Sequence, residues 1–203
     1  MIVILSNGEK PTHNIPVNIL KNAKKLICCD GAISFLEQQN ITPHIIIGDC
    51  DSITSTQKEK YQSIIIEDGN FAYNDLQKAL KYCIATGEEK VVILGAGGER
   101  DDHFLANTGI LIHYANMLSL TMITNYGIFT PINGTTTFES YPGQQISVFS
   151  FSPEAAITFH GLKYPVYKQN FKELWEGSLN EAVANNFTVE LEKSAAVLVY
   201  AAF

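Results

Sequence analysis

The chain has 203 residues, 46% of them hydrophobic and 17% charged, which is ordinary globular composition with ample material for a core. Fourteen basic residues against 21 acidic ones leave a net charge of −7, which argues against a nucleic-acid footprint or attraction to anionic lipid. An acidic protein that binds polyphosphate must supply positive charge locally or through a metal.

Met1–Leu5 reads as a short buried strand followed by Ser6-Asn7-Gly8. It lacks the basic flank and the length of a signal peptide, and no segment reads as a membrane span. The four cysteines, Cys28, Cys29, Cys50 and Cys83, form no Cys-x-x-Cys pair. They are expected to be reduced thiols of a cytoplasmic protein.

Further along, Val17–Lys25 predicts a helix, Leu26–Cys29 a strand ending at Asp30-Gly31, and Ala32–Gln39 a helix. Ile45–Ile47 is a third strand. Thr56-x-x-Glu59 offers a capping box for the helix after it, and Ser63–Ile66 is another strand. Asn74–Ala85 has Leu76, Ala79, Leu80 and Cys83 on one helical face, closed by Gly87. Val91–Leu94 is a strand that ends in Gly95-Ala-Gly-Gly98, and Phe104–Tyr114 is helical. Alternating strands and helices predict a mostly parallel sheet flanked by helices over residues 1–120. Ligands of such sheets collect beyond the carboxyl ends of the strands, where Asp30, Asp49/Asp51 and the Gly95–Gly98 loop all fall.

From residue 121 the texture changes. Thr121–Thr124, Gly127–Pro131, Thr135–Glu139, Gln145–Phe151, Ala155–Phe159, Phe187–Glu192 and Ala196–Tyr200 are short, β-branched or aromatic runs. Turn residues such as Asn133-Gly134 and Pro142-Gly143 punctuate them. An all-β sandwich is expected over 121–203.

Three clusters carry chemistry. In extended backbone Asp49 and Asp51 point to the same side. Two such charges ~4 Å apart repel by about 4 kcal/mol at an effective dielectric near 20, and by about 1 kcal/mol in water. A semi-buried pair therefore calls for a divalent cation, a basic partner or a raised pKa, whereas a turn or helix cap asks for nothing. Magnesium is held by one or two carboxylates plus substrate phosphates. Gly95-Ala-Gly-Gly-Glu-Arg-Asp-Asp-His103 joins a strand to a helix. It is neither a Walker A loop nor a dinucleotide fingerprint. Its glycines either turn the chain or let N–H groups approach phosphate, and Arg100 favours the second. Asp102 either caps the next helix or serves a metal, and His103 is by default a structural hydrogen-bonder. Asp75 and Lys78 lie one helical turn apart, by default an exposed ion pair worth little.

Taken in order, Cys29-Asp-Gly-Ala32, Pro43-His-Ile-Ile-Ile-Gly-Asp-Cys-Asp-Ser-Ile53, Asn74-Asp-Leu-Gln-Lys-Ala79, Gly98-Glu-Arg-Asp-Asp-His103 with Leu105-Ala-Asn107, and Gly161-Leu-Lys-Tyr-Pro165 resemble the thiamine pyrophosphokinase family. The resemblance implies transfer of the pyrophosphoryl group of ATP to the hydroxyl of thiamine, giving thiamine diphosphate and AMP with Mg2+. It also implies a homodimer with active sites at the subunit interface. By position, Asp49, Asp51, Asp75 and Asp102 match the acidic metal and catalytic set. Asp30, Lys78, Gly98, Arg100 and His103 match the ATP and phosphate side. Tyr164, Ser178 and Asn180 match the thiamine side, with Trp175 as another aromatic candidate for the thiazolium cation. The chain departs from the family pattern at Ala32, where a second glycine is usual, at Ala72, where an acidic residue is usual, and at Leu179, where Ser178 stands one place early. Two other classes fit parts of the pattern. A metal-dependent nucleotide-sugar transferase accounts for Asp49/Asp51 alone, and a non-catalytic thiamine- or nucleotide-binding protein accommodates the departures.

Overall fold

A computed structural model describes Met1–Phe203, and the chain divides into two compact units, Met1–Asn125 and Tyr126–Phe203. In the first, β1 (Ile2–Leu5), α1 (Asn14–Lys21), β2 (Lys25–Cys29), a 3-10 turn (Asp30–Ala32), α2 (Ile33–Gln38), β3 (Ile45–Gly48) and α3 (Ser55–Tyr61) follow one another. After them come β4 (Ile65–Glu67), α4 (Asp75–Ala85), β5 (Lys90–Leu94), α5 (Asp101–Tyr114) and β6 (Ser119–Ile123). The strands pair in parallel in the order β6-β5-β1-β2-β3-β4. All four residues of β1 are buried, as a central strand covered on both faces requires. The chain winds outward from β1 to β4 and then returns to the other side of β1 as β5. The β1/β5 boundary is thus the topological switch point, where a crevice opens at the carboxyl ends of the strands.

Local chemistry moves several boundaries. Helix α1 starts at Asn14, three residues earlier than its apolar pattern suggests. His13 caps it by accepting from Ile15 N, and Pro16 sits in the first turn, where a missing N–H costs nothing. The capping box of α3 is Thr54 with Gln57, not Thr56 with Glu59: Thr54 Oγ1 accepts from Gln57 N at 3.2 Å and Gln57 Oε1 accepts from Thr54 N at 3.1 Å. Thr56 already lies inside the helix. Helix α5 begins at Asp101, with Asp101 and Asp102 in its first turn, where the helix dipole favours carboxylates.

The run at 121–124, grouped by texture with the β-rich part, is β6, a parallel partner of β5 within the first unit. β-Branched composition does not distinguish a crossover strand from a hairpin strand; the preceding α5 does.

The second unit contains β7 (Gly127–Ile132), β8 (Thr136–Glu139), β9 (Gln145–Ser150), β10 (Ala156–His160), β11 (Gln169–Asn170), β12 (Gly177–Glu181), β13 (Asn186–Leu191) and β14 (Val197–Ala202). They form two antiparallel sheets, ordered β12-β9-β14-β7 and β11-β10-β13-β8. Ile146, Val148 and Val199 from one sheet and Phe159, Phe187 and Val189 from the other share one core, so this unit is a sandwich. The polar run Gly177–Glu181 hides β12 from sequence reading, and its register breaks between Gly177 and Asn180. No helix is long and apolar enough to cross a membrane.

Candidate active site

Two loops build one wall at the switch point. The loop after β1 lies along the glycine-rich loop after β5: Ser6 N donates to Leu94 O at 2.8 Å, Gly8 N to Gly95 O at 2.7 Å and Glu9 N to Gly97 O at 2.8 Å. A Cβ at Gly8 would stand 2.6 Å from Gly95 O, and one at Gly95 would stand 2.5 Å from Ser6 O. Gly95 also has φ +66°, so only glycine fits there. The glycines therefore serve the close approach of two backbones. Gly98 and Glu99 take positive φ in succession, and the Glu9 side chain lies against Gly98.

The opposite wall is acidic. Asp30 follows β2 directly, at the start of the 3-10 turn, with only 4% of its surface exposed. Its Oδ2 accepts from Ser52 N at 3.4 Å, while its buried Oδ1 has no hydrogen-bond partner. A Cβ at Gly48 would fall 2.8 Å from Asp30 Cβ and 3.2 Å from Asp75 Oδ1, so this glycine lets Asp30 and Asp75 stand side by side. Asp49 and Asp51 meet through a turn and not through extended backbone. Cys50 between them is buried with φ +61°, and Asp51 N donates to Asp49 Oδ1 at 3.3 Å. One carboxylate oxygen from each of Asp30, Asp49 and Asp51 lies within 4.8 Å of the others.

Burial pushes the Asp30 carboxyl up to about 6, with Asp75, Asp49 and Asp51 adding to it against the Ser52 N–H. Burial raises Asp75 as well, opposed by its pairing with Lys78. Oxygen-only donors, converging and including one orphaned buried oxygen, fit a hard divalent cation such as Mg2+.

Asp102, expected in the acidic set, does not join these three. Its carboxylate is forked onto Arg100, accepting from Nε at 3.0 Å and from the terminal nitrogen at 2.6 Å, on an exposed surface. That pairing holds it at about 2. Lys78 is not the exposed partner its helical spacing implies. Its side chain is 2% exposed, with Nζ 3.1 Å from Asp75 Oδ1. Burial pulls its pKa down, and the Asp75 pairing more than restores it. Lys78 thus braces Asp75 and is not among the residues lining the pocket.

Between the walls lies a pocket of about 330 Å³, which Arg100 and His103 also line. Sequence reading missed the Ser6–Gly8 wall, although a strand ending in Ser-Asn-Gly at a switch point was its signal.

In the second unit, Asn180 is buried and uses both ends of its carboxamide on Tyr164. Oδ1 accepts from Tyr164 N at 3.0 Å and Nδ2 donates to Tyr164 O at 2.8 Å. The Tyr164 ring stays exposed. Ser178 Oγ donates to Trp175 O at 2.7 Å, and Trp175 is exposed, not core. Leu179 occupies the bulge of β12 with φ +58°.

The family model for the thiamin pyrophosphokinase catalytic domain matches residues 17–122, and that for the thiamin pyrophosphokinase substrate-binding domain matches residues 127–200. No curated protein matches the chain by sequence. Among solved structures, thiamine pyrophosphokinase from Bacillus subtilis is 21% identical, with 99% of this chain and 98% of that one covered and a TM-score of 0.85. Thiamin pyrophosphokinase from Candida albicans is 18% identical over 100% of this chain and 89% of that one, with a TM-score of 0.82. The yeast enzyme is 17% identical over 100% and 86%, with a TM-score of 0.78. These likenesses show a shared fold, while the two family models together span both units. The chain belongs to the thiamin pyrophosphokinase family and is an enzyme that transfers a diphosphoryl group to thiamin.

Proposed function

We propose that the chain uses ATP as donor and a Mg2+ ion held by Asp30, Asp49 and Asp51, releasing AMP and thiamine diphosphate. The observation that carries this reading is the convergence of those carboxylates, one with an orphaned buried oxygen, in a pocket that the glycine-rich loop also lines at the switch point. A bound Mg2+ supplies charge neutralisation for the polyphosphate and the developing charge on the leaving oxygen.

The protein supplies position. The Gly97 and Gly98 amides and the Arg100 guanidinium take phosphate oxygens, which leaves Arg100 to exchange its Asp102 partner for phosphate. The thiamine hydroxyl oxygen attacks the β-phosphorus. The bond from that phosphorus to the α–β bridging oxygen breaks, and AMP leaves with the electron pair. Asp75 Oδ2, the oxygen that Lys78 leaves free, takes the hydroxyl proton; its raised pKa suits a base better than Asp102, which Arg100 holds at about 2. Lys78 acts through Asp75, and His103 contacts the nucleotide. In the second unit, Tyr164 offers its ring face to the thiazolium, with Asn180 fixing its backbone and Ser178 closing the turn that leads into β12.

The enzyme acts in the cytoplasm as a homodimer with active sites at the subunit interface, an assembly that sedimentation tests. The decisive substitution is Asp49→Asn or Asp51→Asn. Each abolishes Mg2+-dependent AMP formation in folded protein, and full activity in both refutes the assignment.

A further inference from the structure

Asn107 has no role in the account so far. It lies in the second turn of α5 and is 9% exposed. Its Nδ2 donates to Ala96 O, inside the glycine-rich loop, at 2.9 Å. Its Oδ1 accepts from Asn74 Nδ2 at 3.2 Å. Asn74 is the N-cap of α4, and its own Oδ1 is occupied by Gln77 N at 2.9 Å. The next residue is Asp75. One carboxamide thus ties the loop at the end of β5 to the first turn of the helix that carries Asp75, and Ala96, Asn74, Asp75 and Asn107 all line the pocket.

The two bonds need a donor and an acceptor at fixed separation on a short stem. Aspartate lacks the donor, glutamine is a methylene too long, and serine cannot span both partners.

We propose that Asn107 is a positioning residue for the diphosphoryl transfer: it sets the distance between the glycine-rich loop and Asp75. The proposal rests on the reading above, in which the loop holds phosphate and Asp75 serves the reacting hydroxyl. A phosphate fixed on one wall meets a base fixed on the other only when the walls keep their spacing. An error of about 1 Å in such a spacing costs about 10²-fold in rate.

A carboxamide that only stabilised the fold would alter the folded fraction and leave turnover per folded molecule unchanged. The test measures kcat and KM for ATP and thiamine at saturating Mg2+, on protein whose folded fraction is fixed by urea unfolding. The variants are Asn107→Ala, Asn74→Ser and the double variant; serine at 74 keeps the cap of α4 but loses the donor to Asn107. Asn107→Ala is expected to lower kcat about 100-fold and Asn74→Ser about 10-fold, with KM values within about threefold of wild type. The double variant is expected to match Asn107→Ala, because both substitutions cut the same tie. Wild-type kcat in folded Asn107→Ala, or multiplicative losses in the double variant, overturns the proposal. Should Asn107→Ala fail to fold, wild-type kcat in Asn74→Ser overturns it. Asp49→Asn run in parallel separates the two levels. Activity there removes the reading of the site itself, whereas an inactive Asp49→Asn beside a fully active Asn107→Ala removes only the tie.

Discussion

Replacing Asp30 with asparagine should stabilise the metal-free enzyme at neutral pH while removing a cation ligand. The Asp30 carboxyl titrates at about 6 in the folded chain against a reference of 3.8. That difference of about 2 units corresponds to about 3 kcal/mol at 1.36 kcal/mol per unit. The sign follows from the raised folded value. Well below the reference of 3.8 the folded and unfolded chains both hold the proton and its contribution is fully present. As the pH climbs towards 6 the unfolded chain releases the proton first, so stability falls, and above about 6 the loss is complete. Asparagine carries no proton to lose. Its stability advantage over aspartate should grow by about 1.4 kcal/mol per pH unit through this window and then level off near 3 kcal/mol. Urea unfolding in a chelator from pH 4.5 to 8, followed by helical ellipticity, reads this out in the first unit, where all five α-helices lie. Excess Mg2+ should then stabilise wild type by mass action, about 2.7 kcal/mol at a hundredfold over its dissociation constant, and leave the variant unmoved. Parallel stability curves for the two proteins across this pH range would refute the reasoning.

Gly48→Ala pushes a Cβ to 2.8 Å from Asp30 Cβ, with an expected cost of about 1–3 kcal/mol by urea unfolding and loss of Mg2+ affinity by calorimetry. Lys78→Met leaves Asp75 half-buried without its partner. An expected loss of about 2 kcal/mol comes with a further rise in the Asp75 pKa, visible as an upward shift of the acidic limb of the pH–rate profile. Arg100→Lys removes the fork, so KM for ATP should rise about tenfold, and the Asp102 carboxyl, followed by NMR titration, should return from about 2 towards its reference of 3.8.

The parallel sheet was legible because buried strands such as Ile45–Ile47 and Val91–Leu94 alternate with amphipathic helices, and that periodicity survives in any environment. The loops were legible as polar punctuation but not as partners. Gly8 and Gly95 interlock across nearly ninety residues of chain, and spacing carries no trace of that contact. Asp30, and not Asp102, lies beside Asp49 and Asp51 for a similar reason. Sequence shows four acidic loops, but only the fold shows that Gly48 opens a seat beside Asp30 while Arg100 claims Asp102 locally. Lys78 was misplaced because i,i+3 spacing says which face two residues share and not whether that face is buried. Strand β12 escaped because its residues are polar and its bulge breaks the alternation.

The ligand set is open to direct measurement with Mn2+, a spectroscopic substitute that accepts the same oxygen donors. Electron paramagnetic resonance counts the ion free in solution, and hence the ion bound per chain. The account predicts one bound ion in wild type, its loss in Asp30→Asn, Asp49→Asn and Asp51→Asn, and its retention in Asp102→Asn. Retention in Asp30→Asn together with loss in Asp102→Asn would contradict it.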